Sequence, residues 1–355
     1  MRSVIAVVLC VLLVGALATP VWAADTAGQP TSPIRDLHAV VVSGRQPGPG
    51  LWKVVSEDGH ALWVLGTVEP LPRDLQWRSD EVEAVIAQAD EVLSAPGIAV
   101  YWDLGFFSSL ALLPSALRVR RNPDGKELED VLPADLLARW RAQKERYLGW
   151  ELSVDRWRPM FAAHKLHEAA LKEHGLGEDV IGPRVRQLVD AAGLEPTPVT
   201  VRTDIDEPRR LIREYNRTDV NDVACMEGTL RRLEAGIPRL VARANAWATG
   251  DIETLRRLPG HGMDRGCINS VLGSDFAQRH GYAEVDRKVS SMWLEQAQRA
   301  LASNEVTFAV LPMDEVLSAD GMLAKLVGHG YRLVPPDDGG AVVRDDGLKG
   351  PAEAP

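Results

Sequence analysis

Three histidines and a glutamate at helical spacing have side chains that could bind a metal. His164, His167 and His174 fall near one face of a predicted helix, and Glu168 follows His167 directly. Zinc-protease helices carry H-E-x-x-H or H-x-x-E-H, whereas the order here is H-x-x-H-E. The pattern therefore favours an exposed, partly basic helix face over a metal site.

Nucleophile and phosphate motifs offer no stronger candidate. The chain contains no G-x-S-x-G elbow and neither of the glycine-rich phosphate-binding patterns. A reaction centre would instead lie where two apolar strands end, at Glu69 and at Asp314.

The elements that position these strand ends come from two distant parts of the chain. Residues 51–71 predict two strands joined by a turn at 57–59, and a helix beginning near Ser79 leads to a third strand at 91–93. Residues 306–334 predict a strand, a loop, a short helix and a last strand. We therefore predict an α/β (α+β) fold, with a mixed central sheet built from the N- and C-terminal halves and a large helical insertion at about 133–302.

Local patterns subdivide the remaining chain. A strong turn signal at 122–125 predicts a hairpin between 117–121 and 127–131, and the aromatic stretch 98–113 predicts a lid-like excursion. The predicted helices lie at 134–147, 154–174, 180–192, 219–248 (kinked at Pro238) and 285–302, and a short strand lies at 199–201.

The first residues have the features of a secretion signal. Arg2, the apolar run 4–18 and the small-residue pattern ending at Ala23 predict cleavage after Ala23, and hence a periplasmic or secreted protein. No later run is long enough for a stable membrane span in the mature chain. We divide the chain into a signal peptide (1–23), a flexible leader (24–48, with a candidate edge strand at 40–42), a single domain (49–335) and a disordered tail (336–355).

Charge and composition restrict the partners. A net charge of −10 over 355 residues argues against an electrostatic grip on nucleic acid. Trp52, Trp63 and Trp77 surround the opening hairpin, and further aromatic residues occupy 101–107. Core filling is the simpler explanation, while the functional alternative is an aromatic groove for a peptide, protein or glycan ligand.

Two cysteines remain after the predicted signal peptide. Cys225 and Cys267 form an even pair in an oxidising compartment, which predicts a disulfide between two helical segments. The alternative is a pair of unlinked buried thiols.

Several motifs follow the order of a known family. They are LWKV at 51–54, WVLGTV at 63–68, AQADEVL at 87–93 and GMLAKLVGHGY at 321–331. Over roughly residues 50–335 the sequence resembles the TraB/GumN family, relatives of the Tiki-type metalloproteases. In that family two G-x-x-H strand ends, an acidic residue, a Leu-Glu-Thr strand and an Arg-Asn pair on a late helix complete a site thought to hold a divalent metal for hydrolysis.

At each of these places the sequence departs from the family pattern. The family-site positions are Gly66 with Glu69 (first G-x-x-H), Ser94 (the acidic residue), Arg202 (Leu-Glu-Thr), Ser290 (Arg-Asn) and Asp314 (second G-x-x-H). Because the residue type has changed at all five chemical positions, we expect that the family's metal site is lost and that no cofactor is bound.

The substitutions suggest an ion-pair network in place of a metal. We hypothesise that Arg202 occupies the family's metal position and pairs with Glu69, Asp314 or both, since a guanidinium can satisfy two carboxylates. One alternative is that all three are separate solvated loop residues. Another is that Glu69 and Asp314, with Asp103 as a further ligand, bind Mg²⁺, Ca²⁺ or Mn²⁺, which a cationic Arg202 would oppose.

Two functions follow from these alternatives. The favoured one is an exported, non-catalytic protein with a degenerate metallohydrolase site, acting as a binding or scaffold protein. The other is a metal-dependent hydrolase or peptidase with a rewired carboxylate site.

Overall fold

A computed structural model describes residues 48–101, 114–115, 117–258, 260 and 265–336. The predicted signal peptide, the candidate strand at 40–42, Asp103 with Trp102, Phe106 and Phe107, and the tail beyond 336 lie outside the described residues.

Short strands form one central sheet and two small two-stranded sheets. In chain order they are β1 Leu51–Val55, β2 Ala61–Thr67, β3 Leu71–Pro72, β4 Glu91–Leu93, β5 Gly97–Tyr101, β6 Leu176–Gly177, β7 Thr200–Asp204, β8 Val306–Pro312 and β9 Arg332–Val334.

The central sheet has the order β4-β8-β2-β1-β9. Strand β1 pairs antiparallel with β2 and β9, whereas β8 runs parallel to both β2 and β4. All five strands come from residues 51–93 and 306–334, which confirms the predicted mixed sheet built from both parts of the chain. Strands β2 and β8 are buried along most of their length and are contacted by helices, as is usual for parallel strands.

Helices fill the sequence between the two groups of strands and flank the sheet. They are α1 Asp80–Ile86, α2 Leu128–Val131, α3 Ala134–Tyr147, α4 Pro159–Glu173, α5 Gly182–Ala191, α6 Pro208–Tyr215, α7 Val223–Ala235, α8 Ile237–Ala248, α9 Ile252–Arg257, α10 Arg265–Leu272, α11 Asp275–Arg279, α12 Val285–Ser303, α13 Met313–Leu317 and α14 Met322–Gly328. The predicted helix at 134–147 is confirmed at both ends.

Apolar side chains form a main core and a smaller helical core. The main core surrounds the central sheet and includes the fully buried Trp293 of α12 and Phe308 of β8. The helical core joins α3, α4 and α7 through Trp140, Leu166 and Met226. The sheet and the helical middle therefore each have apolar packing of their own.

The predicted hairpin at 117–131 is wrong. The turn does form, with Asp124 and Gly125 at positive φ, but no strand follows it. Glu127 instead begins α2 through a capping box with Asp130, in which each side chain bonds the other residue's backbone N–H. Local capping therefore outweighs the strand-like composition of this segment.

The structure differs from the prediction at two further places. The predicted helix at 219–248 is two helices, because Gly236 adopts φ 91° between α7 and α8 and ends the first one. The aromatic stretch begins with a strand that the sequence did not predict: β5 pairs in parallel with β7.

Candidate functional site

The carboxyl ends of three parallel strands meet at one edge of the central sheet, called here the strand-end edge. Thr67 at the end of β2 lies opposite Pro312 at the end of β8, and β4 runs parallel to β8 on its other side. The chain leaves this edge toward Glu69, Asp314 and Ser94. In open α/β sheets, ligands bind outside the carboxyl ends of the strands.

Gly66 lies at the buried centre of this edge. Its carbonyl oxygen accepts a hydrogen bond from the indole N–H of Trp247 at 2.6 Å. A Cβ atom at this position would lie 2.7 Å from Met313 Cε and 3.4 Å from an aromatic carbon of Trp52. A larger residue here would therefore displace the end of the Met313 side chain that packs over the strand.

Asp314 is engaged by a buried arginine. Arg243 Nη2 donates to Asp314 Oδ1 at 3.1 Å, and Arg243 Nε donates to the Leu258 carbonyl at 3.0 Å. The backbone N–H of Gly260 also donates to Asp314 Oδ1, at 3.1 Å. The Arg243 side chain is 7% exposed and that of Asp314 is 44% exposed, so the pair spans the boundary between core and solvent.

Burial affects the arginine of this pair. Removal from water lowers the pKa of the Arg243 guanidinium below its ordinary value, and the negative charge of Asp314 offsets part of that effect. The strand-end edge therefore holds a buried positive charge whose carboxylate partner, among the described residues, is Asp314.

Sequence reasoning missed Arg243 and Trp247, which lie four residues apart on α8. This spacing places both side chains on one helix face, so α8 covers the strand-end edge with Arg243 on Asp314 and Trp247 on Gly66. The available signal was the spacing that puts Arg243 on the same helix face as the apolar residues Leu240, Ala244 and Trp247. An arginine in such a position requires a polar partner within the core.

The hypothesis that Arg202 joins the strand-end carboxylates is wrong. Its Nε and Nη2 atoms donate to Asp204 at 2.6–2.9 Å, and its guanidinium lies 4.2 Å from the Tyr101 ring centroid. Among the described residues, no hydrogen bond or ion pair joins Arg202 to Glu69 or Asp314. Residues i and i+2 of a strand share a face, so Asp204 is the partner within easiest reach.

Glu69 has a different environment from Asp314. The β3–β6 ribbon brings it to Asp179, whose backbone N–H donates to Glu69 Oε1 at 2.9 Å. Loss of hydration raises the pKa of the Glu69 carboxyl; the Asp179 N–H opposes this shift, while the charges of Glu178 and Asp179 add to it. The two carboxylates that the sequence placed at strand ends thus have separate partners.

The two serines at family-site positions are placed as structural residues. Ser94 Oγ accepts a hydrogen bond from the Val199 N–H at 2.9 Å, and the Ser94 N–H donates to the Thr197 carbonyl. Ser94 therefore links β4 to the segment that leads into β7. Ser290 is half-buried on α12, which packs against β7.

His164 and His167 of α4, and His174 directly after it, have separate neighbours. His164 lies 3.8 Å from Glu168, His167 lies 3.8 Å from Glu178, and the His174 ring packs edge-on against Tyr147. The side chain of His167 is only 13% exposed, so the expected exposed face is only partly correct.

The described residues do not fit the divalent metal that the resemblance implies. The Asp314 carboxylate is bound by Arg243 and Gly260, and Glu69 Oε1 is bound by Asp179. Within the described ranges, no group of three or more His, Cys, Asp or Glu side chains is arranged to hold an ion.

The opening tryptophans occupy different environments. Trp52 is 2% exposed and belongs to the core. Trp63 is half-buried beneath the Lys53 ammonium, and Trp77 packs edge-on against Trp247 with centroids 5.4 Å apart. Trp52 therefore fills the core, as the simpler explanation held.

The predicted disulfide is confirmed. Cys225 of α7 is bonded to Cys267 of α10, and both residues are buried. The 42-residue separation encloses α8 together with Leu258 and Gly260. The bond therefore closes a loop that carries the residues covering the strand-end edge.

The fold and this edge define a mixed α/β protein in which a helix of the inserted middle covers the carboxyl ends of the parallel strands. The chain belongs to the TraB/PrgY/gumN family, whose model matches residues 50–335. Comparison with curated proteins and with solved structures found no match. Of the helices in the described part of the chain, none is long and apolar enough to cross a membrane.

Proposed function

We propose that this member of the TraB/PrgY/gumN family is an exported binding or scaffold protein that has lost hydrolytic chemistry. The observation that carries the proposal is the contact of buried Arg243 with Asp314 at the strand-end edge. A ligand set for a divalent ion needs carboxylate oxygens that are free to coordinate. Here Oδ1 of the Asp314 carboxylate, which follows β8, accepts from the Arg243 guanidinium and from the Gly260 N–H.

Electrostatics supports the same proposal. Two positive charges repel each other strongly where water is excluded, so a divalent cation beside Arg243 would be disfavoured. The Arg243–Asp314 pair instead stabilises the approach of α8 to the sheet. On this proposal, the family fold persists because its surfaces bind a peptide, protein or glycan ligand.

Export is part of the proposal and is supported by the disulfide. Disulfides persist in oxidising compartments such as the periplasm and the extracellular space. The bond between Cys225 and Cys267, together with the signal-like N-terminal sequence, favours a periplasmic or secreted location.

The test combines metal analysis with activity and binding assays on the purified mature protein. We expect substoichiometric divalent metal, no chelator-sensitive cleavage of a peptide library, and saturable binding to members of a peptide or glycan array. Stoichiometric metal, or turnover abolished by a chelator and by Asp314→Asn, would support the hydrolase instead. Asp190→Asn, at an exposed position on α5, is the matched control for the loss of a carboxylate.

A further inference from the structure

A shallow groove beside α6 is lined mainly by arginines. It has a volume of about 300 Å³ and is formed by Arg210, Arg213, Glu214, Arg217 and Thr218. The three arginines are spaced by three and four residues, which places them on one side of α6 and of the turn that follows it. The groove therefore concentrates positive charge on a chain whose net charge is −10.

Among the residues that the structure describes, only Arg210 of these three arginines has an acidic partner. Glu207 pairs with Arg210 at 2.9 Å. Arg279 Nη2 lies 3.1 Å from Glu214 Oε1, and His280 Nε2 lies 3.1 Å from Glu214 Oε2. Among the described residues, no carboxylate pairs with Arg213 or Arg217.

Glu214 lines the groove but its charge is already compensated. Although burial acts against ionisation, the nearby His280 imidazole and the hydrogen bonds from Arg279 lower the pKa of the Glu214 carboxyl below its ordinary value. An ionised and paired Glu214 cancels little of the positive potential of Arg213 and Arg217.

The backbone under the groove is held by a buried cation. Arg158 is 2% exposed and donates to the Tyr215 carbonyl at 2.6 Å and to the Thr218 carbonyl at 2.9 Å. These bonds satisfy carbonyl groups at the C-terminal end of α6, where the helix dipole would otherwise repel an anion. Arg158 also fixes the turn that carries Arg217.

From this arrangement we propose that the groove binds the phosphate group of a small phosphorylated ligand. The guanidiniums of Arg213 and Arg217 offer more N–H donors than the two oxygens of a carboxylate can accept. A phosphate group supplies three acceptor oxygens and nearly two negative charges. This site is separate from the strand-end edge, so the proposal stands or falls independently of the proposed function.

The experiment titrates the purified protein with inorganic pyrophosphate by calorimetry at constant ionic strength. We expect saturable binding that weakens about tenfold or more in Arg213→Gln/Arg217→Gln, because two charge-assisted hydrogen-bonding groups are removed. Arg239→Gln/Arg332→Gln, which removes the same charge at exposed positions outside the groove, should bind like the wild type.

Three outcomes would overturn the proposal: absence of saturable binding, equal weakening in both double variants, or equally tight binding of malonate, a dicarboxylate. Arg213→Lys/Arg217→Lys keeps the positive charges but loses the planar guanidinium groups, so it should bind pyrophosphate more weakly than the wild type. This variant serves as the test if the glutamine variant does not fold, and wild-type affinity in it would count against the site.

Discussion

The indole N–H of Trp247 donates to the carbonyl oxygen of Gly66 at 2.6 Å, across 181 positions of the chain. Both residues are buried, so neither group has water as an alternative partner. This bond attaches α8, part of the inserted helical middle, to the end of β2. It is a direct polar link between the two parts of the fold.

Replacing Trp247, whose indole makes this bond, should destabilise the protein more than replacing Trp293, whose indole makes no such bond. Trp247→Phe leaves a buried carbonyl unsatisfied, whereas Trp293 is equally buried and its indole nitrogen has no hydrogen-bond partner among the described residues. We expect Trp247→Phe to lower the free energy of unfolding by about 1–3 kcal/mol more than Trp293→Phe does. Urea unfolding followed by circular dichroism measures the difference, and equal losses would contradict the bond's importance.

The Arg243–Asp314 pair should show a larger coupling energy than an exposed pair. Asp314→Asn leaves the buried guanidinium without its carboxylate, and we expect a loss of about 1–3 kcal/mol in the free energy of unfolding. A double-mutant cycle with Arg243→Met should give a coupling of about 1–2 kcal/mol, reduced by the partial exposure of Asp314. The same cycle on the exposed pair Arg257–Glu253 should give at most about 0.5 kcal/mol. Equal coupling energies in the two cycles would show that burial of Arg243 does not strengthen its interaction with Asp314.

Glu69 should make stability depend on pH. Because its pKa is raised above the ordinary 4.5 in the folded protein, the folded state binds more protons than the unfolded state in this range. Stability therefore falls as pH rises through the unfolded and then the folded pKa, and at pH 7 the ionised carboxylate destabilises the fold.

The variant that tests this effect is Glu69→Gln, whose amide oxygen can still accept from the Asp179 N–H. We expect it to be more stable than the wild type at pH 7, with the difference shrinking below pH of about 4. Thermal unfolding across this range measures it, with Glu195→Gln as an exposed control that should show no such trend. A constant difference at every pH would reject the assignment to Glu69.

Loss of the disulfide should destabilise the protein through the unfolded state. For a closed loop of 42 residues, chain entropy predicts a loss of up to about 4 kcal/mol in Cys225→Ala/Cys267→Ala. Guanidinium unfolding with and without a reductant checks this value. The reductant should weaken the wild type and leave the double variant unchanged; two titratable thiols in the denatured, unreduced wild type would argue against the bond.

Local signals in the sequence were enough for much of the fold. Apolar runs bounded by turn residues predicted β1, β2, β4 and β8, because period and turn chemistry are properties of adjacent residues. They were not enough for β5, whose partner β7 lies about a hundred residues away, nor for α2, where a capping box decided between helix and strand.

The sequence by itself determined the family, the strand-end positions and the pair of cysteines, since motif order and residue type are written in the chain. Tertiary structure decided which arginine meets which carboxylate. The nearest partner of Arg202 is two residues away on its own strand, while Arg243 reaches Asp314 across 71 positions only because α8 packs over the strand ends. Burial then makes that distant contact the consequential one, because a guanidinium removed from water must keep a polar partner.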